Sequence, residues 1–493
     1  MDCINLPSFC HAGLQIRMAC VGMRCFSREK IFPSSLHILC KKNVLLQHES
    51  KTRQTDKQME SIISKSEREQ IIALMKREVV PAIGCTEPIA VALCTAKATE
   101  ALGCTPEHIN VYLSANILKN AMGVGIPGTG MIGLPIAIAL GALIGKSEYG
   151  LEVLKDCTPE AVEKGKEMIA RPQCINIALK DDIEEKLYIE VTCTNGNNVA
   201  TAIISGGHTN FVYLCRNGEV QLDKRTGTTS AEDEETVDLT LRKVFDFATT
   251  APIDEIRFIL EAKNLNKAAA EQSLKGCYGH GLGRMLCTNK NEEKIMGNNT
   301  FTHILSYTSA ACDARMAGAM IPVMSNSGSG NQGISATLPV VIFAEDTHAT
   351  EEQLIRALTL SHLTAIYIKQ SLGKLSALCG CVVAATGSSC GITYLMGGSY
   401  AQVMYAVQNM IATLTGMICD GAKPSCALKV TSGVSTAVMS AIMAMDQKCV
   451  TAVEGIIEEN VNRSIRNLTL IGSKGMNETD KMVLDIMTHK HCD

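Results

Sequence analysis

Tryptophan is absent from the chain, and nine phenylalanines and ten tyrosines bring the aromatic residues to only 4%. No arginine-rich stripe is interleaved with those few rings, so the stacking platforms that hold nucleic acid are missing. Charge is scarce as well: 19% of residues carry it, and 46 basic side chains stand against 50 acidic ones for a net −4. That balance excludes a general binder of nucleic acid or of anionic membrane surfaces. The charged start, apolar middle and small-residue cleavage site of a signal peptide are not found either. The 22 cysteines therefore read as reduced thiols of a cytoplasmic protein, not as the disulfide framework of a small secreted one. For most of them the expected role is that of a small buried hydrophobe.

What the chain has is length and small residues: 493 in all, 46% hydrophobic, with 39 glycines and 23 methionines. One hydrophobic core seldom serves so long a chain, so two domains are expected, packed through small and methionine side chains. Residues 1–58, with Cys3, Cys10, Cys20, Cys25 and Cys40, show no periodicity and read as an N-terminal extension, with Met59 opening the fold. Apolar residues at Ile62, Ile63, Ile71, Ile72, Leu74 and Met75 predict a helix, and a second apolar helix runs from Ile89 to Leu102. Residues 108–115 and 174–221 alternate as strands do, with turns at 195–198 and 216–218. Residues 59–225 thus form an α+β domain with an antiparallel sheet. Ser230 with Asp233 reads as a capping box for a helix carrying Val237, Leu241, Val244 and Phe245. From 226 to 493 the chain is expected to be mostly helical, broken by glycine loops.

Residues 316–344 and 375–419 contain no charged side chain or histidine, and 120–145 carries no charge. A membrane carrier would use such stretches, but glycines and prolines from Gly123 to Pro135 break the third, and no two clean spans with basic flanks can be drawn. A soluble enzyme is expected, without nucleic-acid or membrane partners. Its size and small-residue packing are compatible with a homo-oligomer.

Three polar glycine loops lie within or beside these apolar stretches: 126–130, 205–210 (with His208) and 325–333. Loops of this kind expose backbone N–H groups that can cradle an anion. In Gly84-Cys85-Thr86-Glu87-Pro88 the proline fits the first turn of a helix, which puts Cys85 at a helix start where the dipole would lower a thiol's pKa. Cys379, Cys381, Cys390, Cys419 and Cys426 make the strongest constellation. Cys419 and Cys426 would stand about 10 Å apart along one helix, but Gly421 and Pro424 break it and can fold the thiols toward one centre. Zinc and an iron–sulfur cluster are both open on this pattern.

Taken together, Gly84–Pro88, the 325–333 loop, Gly380-Cys381-Val-Val-Ala-Ala385 and Cys419-Asp-Gly-Ala-Lys-Pro-Ser-Cys426-Ala-Leu-Lys429 resemble the L-cysteine desulfidase family (UPF0597-like proteins). That family is related to the α-chain of iron–sulfur L-serine dehydratases. The resemblance runs from about residue 60 to 488. It implies pyridoxal-independent β-elimination from an amino acid at a [4Fe-4S] cluster, with Cys381, Cys419 and Cys426 as ligands. The last two are closer in sequence than the dehydratase pattern has them, so Cys85 is either the third ligand in place of Cys426 or a catalytic thiol. Lys429, His208, Cys85 and Lys423 are the candidates for the base that takes the α-proton. Ser325, Asn326, Ser327, Gly328 and Asn331 are expected to hold the substrate's carboxylate. The expected product set from L-cysteine is sulfide, pyruvate and ammonia, and an L-serine dehydratase with the same cluster is the alternative.

Overall fold

Ser64 starts the first described helix with a reciprocal cap: its side chain accepts from the Glu67 N–H at 3.2 Å, and its own N–H donates to the Glu67 carboxylate at 3.1 Å. The structure, a computed structural model, describes residues 63–180, 183, 185–225, 237–288, 296–373 and 375–490. The N-terminal extension with its five cysteines and the Ser230–Asp233 capping box lie outside the described residues.

The first half runs α1 (Lys65–Glu78), β1 (Pro81–Ile83), α2 (Thr86–Leu102), β2 (His108–Leu113), α3 (Ala115–Ala121), α4 (Leu134–Ile144) and α5 (Pro159–Ala170). Five strands follow: β3 (Ile175–Leu179), β4 (Tyr188–Asn195), β5 (Asn198–Ser205), β6 (Phe211–Arg216) and β7 (Glu219–Asp223). They join β2 in a six-stranded sheet of order β3-β2-β4-β5-β6-β7. Hairpins at Gly196 (φ 54°) and at Asn217-Gly218 (φ 50° and 85°) set the antiparallel pairs, as the turn signals predict. One pair differs: β2 and β3 are parallel. Three α-helices and a short 3-10 helix lie between them, and a long crossover of this kind returns a strand in the same direction, which a hairpin cannot do. Alternation along each strand gave no hint of it. α2 is buried on nearly every side because it packs on both the sheet and α4.

The second half is helical, as expected: α6 (Leu241–Thr250), α7 (Ile253–Ile256), α8 (Leu260–Lys275), α9 (Leu282–Thr288), α10 (Thr300–Met316), then the short β8 (Pro322–Met324). After it come α11 (Gly330–Asp346), α12 (Glu351–Leu372), α13 (Gly380–Leu395), α14 (Tyr400–Leu414), α15 (Cys426–Met445), α16 (Val461–Leu470) and α17 (Asn477–Thr488). Thr240 caps α6 by accepting from the Lys243 N–H at 3.2 Å, so Val237 precedes that helix.

The uncharged segments are the core of this half. α13 packs against α11, α12, α14 and α15, and a Cβ at Gly387 would stand 2.2 Å from the Ser361 carbonyl oxygen of α12. Only glycine allows that approach. α15 is long and apolar enough to cross a membrane, but half of its most apolar stretch is buried inside the fold. β1 pairs with β8 in antiparallel register, Pro81 opposite Met324. This ladder ties the segment leading into α2 to the segment leading into α11.

Candidate active site

Four helices begin at one cavity. The first-turn or capping residues Cys85 and Glu87 of α2, Ser329, Asn331 and Gln332 of α11, Cys379, Gly380 and Cys381 of α13, and Cys426 of α15 line a pocket of about 110 Å³. Each helix start carries unsatisfied N–H groups and a partial positive charge. At α2, α13 and α15 no side chain caps them. Of the glycine loops noted in the sequence, 325–333 is the approach to one of these helix termini, whereas 205–210 joins β5 to β6 and 126–130 lies off the cavity; the cavity favours negative charge.

The thiols come next. Cys381, Cys419 and Cys426 all line the cavity, and so do Cys85 and Cys379. Cys390 lies inside α13, fully buried, its thiol on the Thr386 carbonyl. The Cys381 thiol donates to the Met417 sulfur at 3.1 Å and stands 3.5 Å from the Lys429 carbonyl oxygen. The Cys426 thiol points to the Gly421 carbonyl at 3.7 Å. Gly421, with φ 86°, passes so close to the Lys119 carbonyl oxygen that a Cβ would stand 2.3 Å from it, and this turn brings Cys419 and Cys426 to the same cavity. Burial raises the Cys419 thiol to about 11 and pushes Cys426 upward too. In the adjacent pair a hydrogen bond from Cys381 lowers Cys379 to about 7, and the same contact together with burial raises Cys381.

In chemical kind this donor set fits an iron–sulfur cluster: sulfur ligands in a largely buried pocket at positive helix termini. Among the described residues no three Cys, His, Asp or Glu side chains stand close enough as they are to hold a metal ion. Binding would therefore turn the thiols inward.

Cys85 departs from the expected low pKa. It does cap α2, but burial and then the Glu87 carboxylate, which accepts its thiol at 2.9 Å, push the thiol well up. Glu87 also accepts from Thr86 Oγ1 and Asn120 Nδ2, each at 3.1 Å. Burial alone would raise its pKa; the His208 charge and the Cys85 hydrogen bond hold it below the usual value. His208 sits against Gly328, where a Cβ would lie 3.6 Å from its ring. It is not part of the cavity lining.

Most of the 325–333 loop is occupied with holding itself. Ser325 Oγ donates to the Val80 carbonyl at 2.6 Å, Ser327 Oγ to Asn326 Oδ1 at 2.9 Å, and the Gly328 carbonyl accepts from Thr86 Oγ1 at 3.0 Å. Asn326 is fully buried, its amide on the His362 carbonyl at 3.1 Å. Asn331 alone of the five expected residues reaches the cavity, and its Oδ1 accepts from Arg315 Nη1 at 3.1 Å.

Lys429 lines the cavity but is paired: its Nζ donates to the Asp420 carboxylate and, at 2.7 Å, to the Ile418 carbonyl. Burial would lower its pKa, yet Asp420 holds it above the ordinary value. Lys423 shares the same carboxylate. Two cations missed in the sequence face the cavity instead. Arg315, at the end of α10, is 3% exposed. Lys369, in the last turn of α12, is lowered by burial to about 8. Arg315 directly precedes the uncharged stretch 316–344, but Lys374 and not Lys369 borders 375–419, so a place beside an uncharged stretch does not single out the pair.

A cavity of this make suits a small anionic or zwitterionic ligand, and the sequence relatives give the family to which the chain belongs. The profile of the serine dehydratase alpha chain family matches residues 148–485, which include Cys381, Cys419 and Cys426 and leave out Gly84–Pro88. A UPF0597 protein of Phocaeicola vulgatus is 76% identical over 432 residues, 88% of this chain and 100% of the relative. One from Bacteroides fragilis is 75% identical over 430 residues (87% and 100%), and one from Porphyromonas gingivalis 54% over 431 (86% and 99%). The chain belongs to the UPF0597 family, related to the serine dehydratase alpha chain.

Proposed function

We propose that the protein is a cytoplasmic, pyridoxal-independent lyase that holds a [4Fe-4S] cluster on Cys381, Cys419 and Cys426 and performs β-elimination on L-cysteine. The observation that carries this reading is the presence of those three thiols on one buried cavity at the N-termini of α13 and α15. When bound, a cluster with three protein ligands supplies an open iron that acts as a Lewis acid on the β-leaving group.

The chain's own residues do the rest. Lys369, kept partly neutral at neutral pH by burial, takes the α-proton, in place of the salt-bridged Lys429. The Cα–H electron pair forms the Cα–Cβ double bond as the Cβ–S bond breaks, and sulfur leaves with its electron pair as sulfide. The aminoacrylate released tautomerises to an imine, and water converts that to pyruvate and ammonia. Lys429 and Asp420 hold the turn from Ile418 to Cys426 in place. Cys85, buried and hydrogen-bonded to Glu87, lines the same cavity.

L-Serine is the second reading, favoured by the family match; hydroxide is then the leaving group. The test is anaerobic assay of the reconstituted protein for pyruvate from both amino acids and for sulfide from L-cysteine. Sulfide and pyruvate in equal amounts support the desulfidase. Pyruvate from L-serine at much higher kcat/KM makes it a dehydratase, and no pyruvate from either rejects the lyase.

A further inference from the structure

Arg315, buried, and Glu87, partly buried, are opposite charges that line the same cavity without meeting each other. Among the described residues neither makes an ion pair within 4.0 Å, and Arg315 Nε, although buried, has no hydrogen-bond partner. Asn120, 8% exposed and tied through its amide to Glu87, likewise leaves its Oδ1 buried and unpartnered beside the carboxylate. Buried polar atoms without partners are rare, because each costs the full desolvation of the group. A cavity wall that leaves a guanidinium N–H and an amide oxygen unmatched is built for a ligand that matches them.

We infer that Arg315 and Glu87 together recognise the zwitterionic head of a free α-amino acid. The α-carboxylate sits on Arg315 Nε and the first N–H groups of α11, and the α-ammonium sits on Glu87 and Asn120 Oδ1. The planar guanidinium suits a carboxylate. One of its other nitrogens is fixed by Asn331 at 3.1 Å, and Gly330 leaves room for it: a Cβ there would stand 2.2 Å from Arg315 Nε. Arg315 and Glu87 share the cavity lining with Cys381, Cys419 and Cys426, so an amino acid held by its head is bound in the cavity that the thiols line. A peptide does not carry both charges on one carbon and a simple amine lacks the carboxylate, so the same pair discriminates against both.

This inference takes its substrate class from the lyase reading, but its test needs neither cluster nor turnover. The full-length, cluster-free protein is titrated calorimetrically with L-serine, ethanolamine (no carboxylate) and 3-hydroxypropionate (no ammonium). L-Serine binds the wild type, and the two single-charge analogues bind at least tenfold more weakly. Arg315→Met weakens L-serine by about 10–100-fold and leaves ethanolamine unchanged. Glu87→Gln weakens L-serine and leaves 3-hydroxypropionate unchanged. Arg315→Lys, which keeps the charge, restores part of the affinity and covers the case in which the methionine variant does not fold. L-Serine binding that is absent in the wild type, or equal in wild type and folded Arg315→Met, overturns the inference. A protein that binds L-serine in this pattern but takes up no iron would reject the lyase reading and leave the amino-acid site standing.

Discussion

Lys429 donates its ammonium to the carboxylate of Asp420, nine residues earlier in the chain, and the pairing closes the turn that carries Cys419 and Cys426. A lysine held this way is a structural strut, and its proton is hard to remove. Lys429→Ala is therefore expected to loosen the turn and lower the iron retained per chain, with activity falling in proportion to iron. A Lys429→Ala protein with full iron and no turnover would return this residue to the role of base.

Lys369 is the contrasting case. Its amine must be neutral to take a proton, and burial places its pKa at about 8, so kcat/KM should rise with pH and level off above about pH 8. Lys369→Met should lower kcat by about 10²–10⁴-fold, remove that limb of the profile and leave iron content unchanged. The stability consequence has a definite sign. The folded value lies below the ordinary lysine value of about 10.4, so between the two the unfolded chain binds more protons and stability rises with pH. At pH 7 the methionine variant should accordingly melt no lower than the wild type.

Asn326 and Asn331 separate structure from binding within one loop. Asn326→Ala removes buried hydrogen bonds to His362 and should cost about 1–3 kcal/mol in chemical denaturation. Asn331→Ala, at the cavity, should raise KM with a much smaller loss of stability. Equal losses of stability in the two variants would contradict the division.

The architecture was legible where the signal is local. Turn residues at 195–198 and 216–218 mark real hairpins, and the apolar spacing from Ile71 to Leu102 marks real helices, because period and punctuation depend on neighbouring residues alone. The parallel pairing of β2 with β3 and the β1–β8 ladder depend on partners far along the chain, and neither leaves a trace in periodicity. The cysteine constellation was legible through the glycine and proline that punctuate it. Arg315 and Lys369 were not: each reads as an ordinary basic residue in the last turn of a helix, and only packing reveals that its head is buried at a cavity.

Metal loading should also depend on pH. Burial holds Cys419 at about 11 and raises Cys426, and Cys381 is raised by its contact with Cys379. Ligand thiols must lose their protons to bind metal, so cluster assembly in vitro should be favoured on going from about pH 6.5 to about pH 8.5, read as the charge-transfer absorbance of the cluster. Assembly that is independent of pH would argue against these thiols as ligands.

Iron and acid-labile sulfide per chain, in protein purified without oxygen and reconstituted, report on the proposed cluster itself. About four of each per chain are expected in the wild type, with their loss in Cys381→Ser, Cys419→Ser and Cys426→Ser and retention in Cys390→Ser. Loss in Cys85→Ser and retention in Cys426→Ser would exchange the third ligand. Wild-type protein that takes up neither iron nor sulfide would show that these thiols hold no cluster.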